Sequence, residues 1–185
     1  MFGVIAAPLL LAGTGQVAAE RLYICSGYGC IYKKSMVISP AAKRQLARIM
    51  ARGKTSAASE RLAVGKAVSY YESLATRAIG VRDGAISSAG GARVYGQMDC
   101  IDESRNTRSL LLYLERSGML RHHKVGRNSS RGFFVDVRYP HATAVLRSSD
   151  DGERWAVDSW FEPAGGEPDI MKLSEWKMRG VRGER

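Results

Sequence analysis

Residues 141–161 read HATAVLRSSDDGERWAVDSWF. Two runs rich in β-branched and aromatic residues, 141–147 and 154–161, flank the turn-forming SSDDGE, a pattern that predicts an antiparallel hairpin. Three segments of helical periodicity precede it. Helices first and strands after is an α+β layout, with the helices packed on an antiparallel β-sheet. The hairpin also carries the first chemical signal. If residues 149–152 form the loop, Ser148 faces Glu153, His141 faces Trp160, and Asp158 is the diagonal neighbour of His141. If 148–151 form it, His141 faces Asp158 directly. Any even-length loop keeps the two on one face, because strand side chains alternate with period two; an odd one separates them. An imidazole beside a carboxylate is what a general base needs, since the carboxylate fixes the tautomer and stabilises the imidazolium. A structural His–Asp contact at a sheet edge is the other reading of the same pair.

The helices are marked by their ends. Ser39 as N-cap and Pro40 at the first position open a helix through AAKRQLARIMARG, which Gly53 terminates. A second runs from near Ser56 to about Ile79, with Leu62, Val64, Ala67, Val68, Tyr71 and Leu74 as its apolar stripe and Gly80 as its stop. A glycine- and serine-rich loop spans 81–95. The third helix begins at or just after Asp99, carries Leu110, Leu111, Tyr113 and Leu114, and stops at Gly118. Residues 21–38 read as extended, with SGYG as a turn and SMVIS as a short strand. FFVDVR (133–138) reads as a further strand, and a last element falls around Ile170 to Trp176. There is no internal repeat and no sign of a second domain.

With Asp99 as N-cap, Cys100 falls in the first turn of the third helix. Unpaired N–H groups and the macrodipole at that tip favour a thiolate, and the same N–H groups can hold an oxyanion. A buried, inert small side chain is the competing reading. His122 and His123, just past the helix, read as surface residues, with a place in the lining of the site as the alternative for either.

The first 19 residues, MFGVIAAPLLLAGTGQVAA, resemble an export signal. The apolar run from Phe2 to Ala12 is too short to span a bilayer, and Val17-Ala18-Ala19 suits cleavage, although no positive charge precedes the run. That leaves 20–185 as one domain with no further membrane-spanning candidate, in the periplasm or outside the cell. In an oxidising compartment Cys25 and Cys30, in ICSGYGCIY, suit a small disulfide loop; two unpaired cysteines flanking a turn is the alternative. Pairing these two leaves Cys100 as the odd thiol. The net charge of +10 points toward an anionic partner such as an envelope polymer. Nucleic acid is disfavoured, because the basic residues are scattered, without zinc-finger spacing or a basic stripe interleaved with aromatics.

The order Cys100, His141, Asp158 resembles the transglutaminase-like branch of the papain-type cysteine peptidases. HATAVLRSSDDGERWAVDSWF is similar to that family's His-Ala strand, glycine-containing turn and VD strand, and GQMDCIDESRNT to its cysteine-bearing helix start. The resemblance covers residues 94–161. It implies a transglutaminase-like, papain-like core, with Cys100 as nucleophile, His141 as general base and acid, and Asp158 as orienting carboxylate. Gln97 is an oxyanion candidate by proximity. The implied activity is that of an exported bacterial cysteine hydrolase, a peptidase or amidase acting on protein or peptide through a thioester. A transglutaminase-type acyl transferase and a non-catalytic envelope-binding module on the same fold are the alternatives. No cofactor is implied. The acids after the cysteine depart from common members. Some bacterial relatives use such acids for calcium, which makes Asp102 and Glu103 weak candidates against a solvated helix face.

Overall fold

A computed structural model of the chain describes residues 20–132 and 140–179. The signal-like segment 1–19, the strand expected at 133–138 and the tail from 180 lie outside the described residues.

Local chemistry sets the helix ends. Ser39 caps α1 (Pro40–Ala51), its hydroxyl accepting the Ala42 N–H at 3.1 Å. A capping box between Ser56 and Ser59 opens α2 (Ala57–Ile79), and Gly80, at φ 83°, closes it in the left-handed conformation that glycine adopts without strain. Asp99 caps α3 (Cys100–Arg116) by accepting the Asp102 N–H at 2.8 Å. The stripe on α2 differs from the sequence expectation at one point. Leu62 is 73% exposed, while Glu60 is buried beside Ala63, Val64, Ala67, Val68 and Tyr71. A 3.6-residue period anchored on positions 64, 67, 68 and 71 brings 60 inward and turns 62 out.

The extended amino-terminal segment is a full antiparallel hairpin, β1 (Arg21–Ser26) and β2 (Tyr32–Val37), turning at SGYG. Two short strands absent from the sequence reading follow α3: β3 (His123–Val125) and β4 (Ser129–Arg131). Both pair antiparallel along one edge of β5 (His141–Ser148). On its other edge β5 pairs with β6 (Arg154–Asp158), which pairs with β7 (Asp169–Lys172). The element expected around Ile170–Trp176 is thus β7 followed directly by α4 (Leu173–Met178).

Alternation along β5 and β6 divides the apolar residues between two cores. Ala144, Leu146 and Val157 face the helices, joining Val64, Val68 and Tyr71 of α2 and Leu110, Leu111 and Leu114 of α3. Val145 and Ala156 face the other way, against Leu173 and Trp176 of α4. The result is a mixed α+β fold with antiparallel sheets. Among the described residues, no helix is long and apolar enough to cross a membrane.

Candidate active site

The β5–β6 register is the first of the two that the sequence allows. Ser148 N–H donates to the Glu153 carbonyl at 2.8 Å, and Ala144 pairs with Val157. His141 and Asp158 therefore share a face, and His141 Nε2 donates to Asp158 Oδ2 at 2.7 Å. Both are buried, at 1% and 2% exposure. With Asp158 as the acceptor Nε2 carries a proton, and the neutral tautomer of the imidazole then has its lone pair on Nδ1. His141 Nδ1 is buried and has no hydrogen-bond partner among the described residues. Aromatic rings enclose the imidazole: Trp160 at 4.7 Å, Phe161 at 5.6 Å and Trp176 at 5.6 Å between ring centroids.

Cys100, on α3, lines a cleft in common with His141. The start of α3 meets the start of β5, with the Cys100 Sγ 4.0 Å from the Pro140 carbonyl. One cleft of about 320 Å³ is lined by Cys100, His141, Trp160, Tyr28, Ile101 and Ser130, among others. The helix tip does not deliver a resting thiolate, as its position alone suggests. Burial pushes the Cys100 thiol up to about 11, and the carboxylates of Asp99 and Asp158 add to the effect, outweighing the Ala142 N–H that favours the charged form. Nucleophilic use of this sulfur requires a base to take its proton. Of the first N–H groups of α3, Asp99 takes those of Asp102 and Glu103. Those of Cys100 and Ile101 remain at the open end. Gln97 lies in the preceding loop, its N–H bonded to the Val94 carbonyl and its carbonyl to the Gly27 N–H, and it does not line the cleft.

The two acids after the cysteine are not a solvated helix face; both are buried. Gly27, Tyr28, Gly29 and Cys30 all have positive φ, at 85°, 68°, 65° and 68°. This run turns successive N–H groups inward as an anion-binding nest. Tyr28 and Cys30 N–H donate to Asp102, at 2.8 and 2.5 Å, and the Gly29 N–H donates to Asp99 at 3.1 Å. A Cys25–Cys30 disulfide closes the turn. The nest thus fixes Tyr28, a cleft wall, to the two acids that bracket Cys100.

Glu103 points elsewhere, into a cavity of about 20 Å³ shared with Glu72, Asp83 and Ser159, room for about one water. Burial raises all three carboxyls: Glu72 to about 7, Asp83 to about 6, and Glu103 well above its ordinary value. Asp102 and Glu103 therefore diverge, one spent on backbone N–H groups, and do not fit a shared calcium ion. Among the described residues, the ligand atoms that do converge, within 4.8 Å, belong to Cys25, Cys30 and Asp102, and there the two sulfurs are bonded to each other.

His123 is a second correction: it is buried, donating from Nδ1 to Glu60 at 2.9 Å. The Arg121 and His122 N–H groups also bond Glu60, so this buried acid ties α2 to the turn after α3. Sequence reasoning assigns no role to Tyr28, Ser130 or Trp176. Only their types, aromatic or hydroxyl beside turn and strand signals, hint at one. No family model, curated protein or solved structure matches the chain.

Proposed function

We propose that the protein is a transglutaminase-like cysteine hydrolase, exported from a bacterial cell, that cleaves amide bonds in protein or peptide substrates. The observation that carries this reading is the buried His141–Asp158 pair, whose histidine lines the same cleft as Cys100 and has no partner for Nδ1 among the described residues. His141 Nδ1 takes the thiol proton as Sγ attacks the carbonyl carbon. The oxyanion that forms lies toward the N–H groups of Cys100 and Ile101, which replace Gln97 as the candidate donors. The imidazolium, held by Asp158, then protonates the leaving amine as the C–N bond breaks, leaving a thioester on Cys100. Water, deprotonated by His141, attacks the thioester and releases the acid and the free thiol. Burial raises the thiol, which favours His141 as a general base over a standing thiolate–imidazolium pair. The Cys25–Cys30 disulfide supports an oxidising compartment and hence export.

Cys100 is the one thiol of the chain outside the disulfide, so its labelling by iodoacetamide reads the site without a known substrate. His141→Ala is expected to slow that labelling at pH 7 by about tenfold or more. Equal rates would remove the base and leave a binding module on this fold. A panel of peptide amides, assayed with and without an added primary amine, then separates hydrolysis from acyl transfer.

A further inference from the structure

Among the described residues, Asp158 Oδ2 accepts two side-chain hydrogen bonds, and only one comes from His141. The other is the Trp176 indole N–H, from α4, at 2.6 Å. Trp176 is 1% exposed, and its ring lies 34° from parallel with the His141 ring. On this side of the sheet, then, one indole covers the imidazole and bonds the oxygen that orients it.

Trp176 is itself held by an apolar cluster and by Arg131. Leu173, Val145 and Ala156 pack with it in the smaller core. The Arg131 guanidinium stands 4.4 Å from the ring centroid, and its Nη1 donates to the Trp176 carbonyl. Arg131 is there because the pairing on the edge of β5 advances by one residue between β3 and β4, as across a β-bulge. Val125 faces Leu146, but Arg131 faces His141; the uninterrupted β3 register would have set Arg131 opposite Pro140.

We infer that Trp176 is a positioning residue of the dyad, fixing the Asp158 carboxylate and limiting how strongly it holds the His141 imidazolium. This rests on the hydrolase reading above. A donor that stays bonded to Oδ2 in both states of His141 withdraws charge from that oxygen, as hydrogen bonds to a charged acceptor do. Arg131 opposite His141 on β4, Asp169 opposite Asp158 on β7 with Arg179 4.0 Å from it, and the Cys100 thiol on α3 also face the pair. These groups are unchanged when the indole N–H is removed. Without that N–H the carboxylate grips the imidazolium more tightly, and neutral imidazole becomes available only at higher pH.

The test is the pH profile of Cys100 labelling by iodoacetamide in the full chain, with the disulfide intact. Trp176→Phe removes the N–H and keeps an aromatic ring. Benzothienylalanine at position 176 removes the N–H alone and keeps the shape, which covers the case in which the Phe variant does not fold. Both are expected to move the His141-dependent limb to higher pH by about half a unit to one unit, slowing labelling at pH 6 about three- to tenfold. Leu173→Ala loosens the same apolar cluster without touching Asp158 and is expected to leave the limb in place. A wild-type profile in both Trp176 variants, or an equal shift in Leu173→Ala, overturns the role. Loss of the limb's dependence on His141 in the otherwise native chain instead overturns the general base on which the role rests, so the two failures are distinct.

Discussion

Acidifying the protein from pH 8 to pH 5 is expected to make it more stable, and Glu72 shows by how much. Burial at the cavity wall pushes this carboxyl up to about 7 from an ordinary 4.5, the Gly165 and Ser159 hydrogen bonds restrain it, and Asp83 pushes further. At about 1.4 kcal/mol per pH unit, that displacement is worth about 3 kcal/mol. The fold favours the protonated form, so the contribution is complete below about 4.5 and is lost as the pH rises through about 7. Asp83 and Asp102, each pushed to about 6, act in the same direction. Glu72, Asp83 and Glu103 face one another, so neutralising one relieves the others and their effects do not simply add. For a chain of this length, 3 kcal/mol is roughly 6–12 °C in Tm. Growing positive charge at low pH opposes the gain, and Glu72→Gln isolates this half-buried group. Glutamine keeps a carbonyl oxygen for the Gly165 N–H, which Glu72 now accepts at 2.9 Å. Urea midpoints at pH 5, 6, 7 and 8 give the comparison. Glu72→Gln should match the wild type at pH 5 and exceed it at pH 8 by up to about 3 kcal/mol. Parallel slopes for the two proteins, or a Gln variant no more stable than the wild type at pH 8, would refute the reasoning.

Two further outcomes concern backbone and loop. Asp102→Ala strips the charged acceptor from the Tyr28 and Cys30 N–H groups, and should cost about 3 kcal/mol in urea denaturation. It should also speed Cys100 labelling, because Tyr28 then no longer holds the cleft wall. Gly53→Ala would set a methyl 2.7 Å from the Glu60 Cα, a backbone atom that cannot swing aside, and should cost about 1–3 kcal/mol. Gly84→Ala, whose methyl would meet nothing within 4 Å, is the control for both measurements.

What the sequence makes legible here acts over short distances. Ser39, Ser56, Gly80 and Asp99 mark helix ends because a cap works within about one turn of itself. The shared face of His141 and Asp158 is legible for a similar reason: it needs only an even loop between adjacent strands. The misread polar residues depend on partners far along the chain. His123 looks like a surface residue until Glu60, turned inward on α2, supplies its buried partner. Asp102 looks solvated until the Tyr28 and Cys30 N–H groups, more than 70 residues earlier, close on it. Cys100 gives the same lesson with magnitudes attached. The helix tip offers its thiolate about 1 kcal/mol or less, a term visible in the sequence. Raising the thiol from 9.0 to about 11, mainly by burial, corresponds to about 3 kcal/mol in the other direction. Part of that comes from Asp158, the carboxylate that a Cys–His–Asp site needs. Burial of Cys100 near the Asp158 carboxylate therefore disfavours the resting thiolate, and in the proposed mechanism the activation falls to His141.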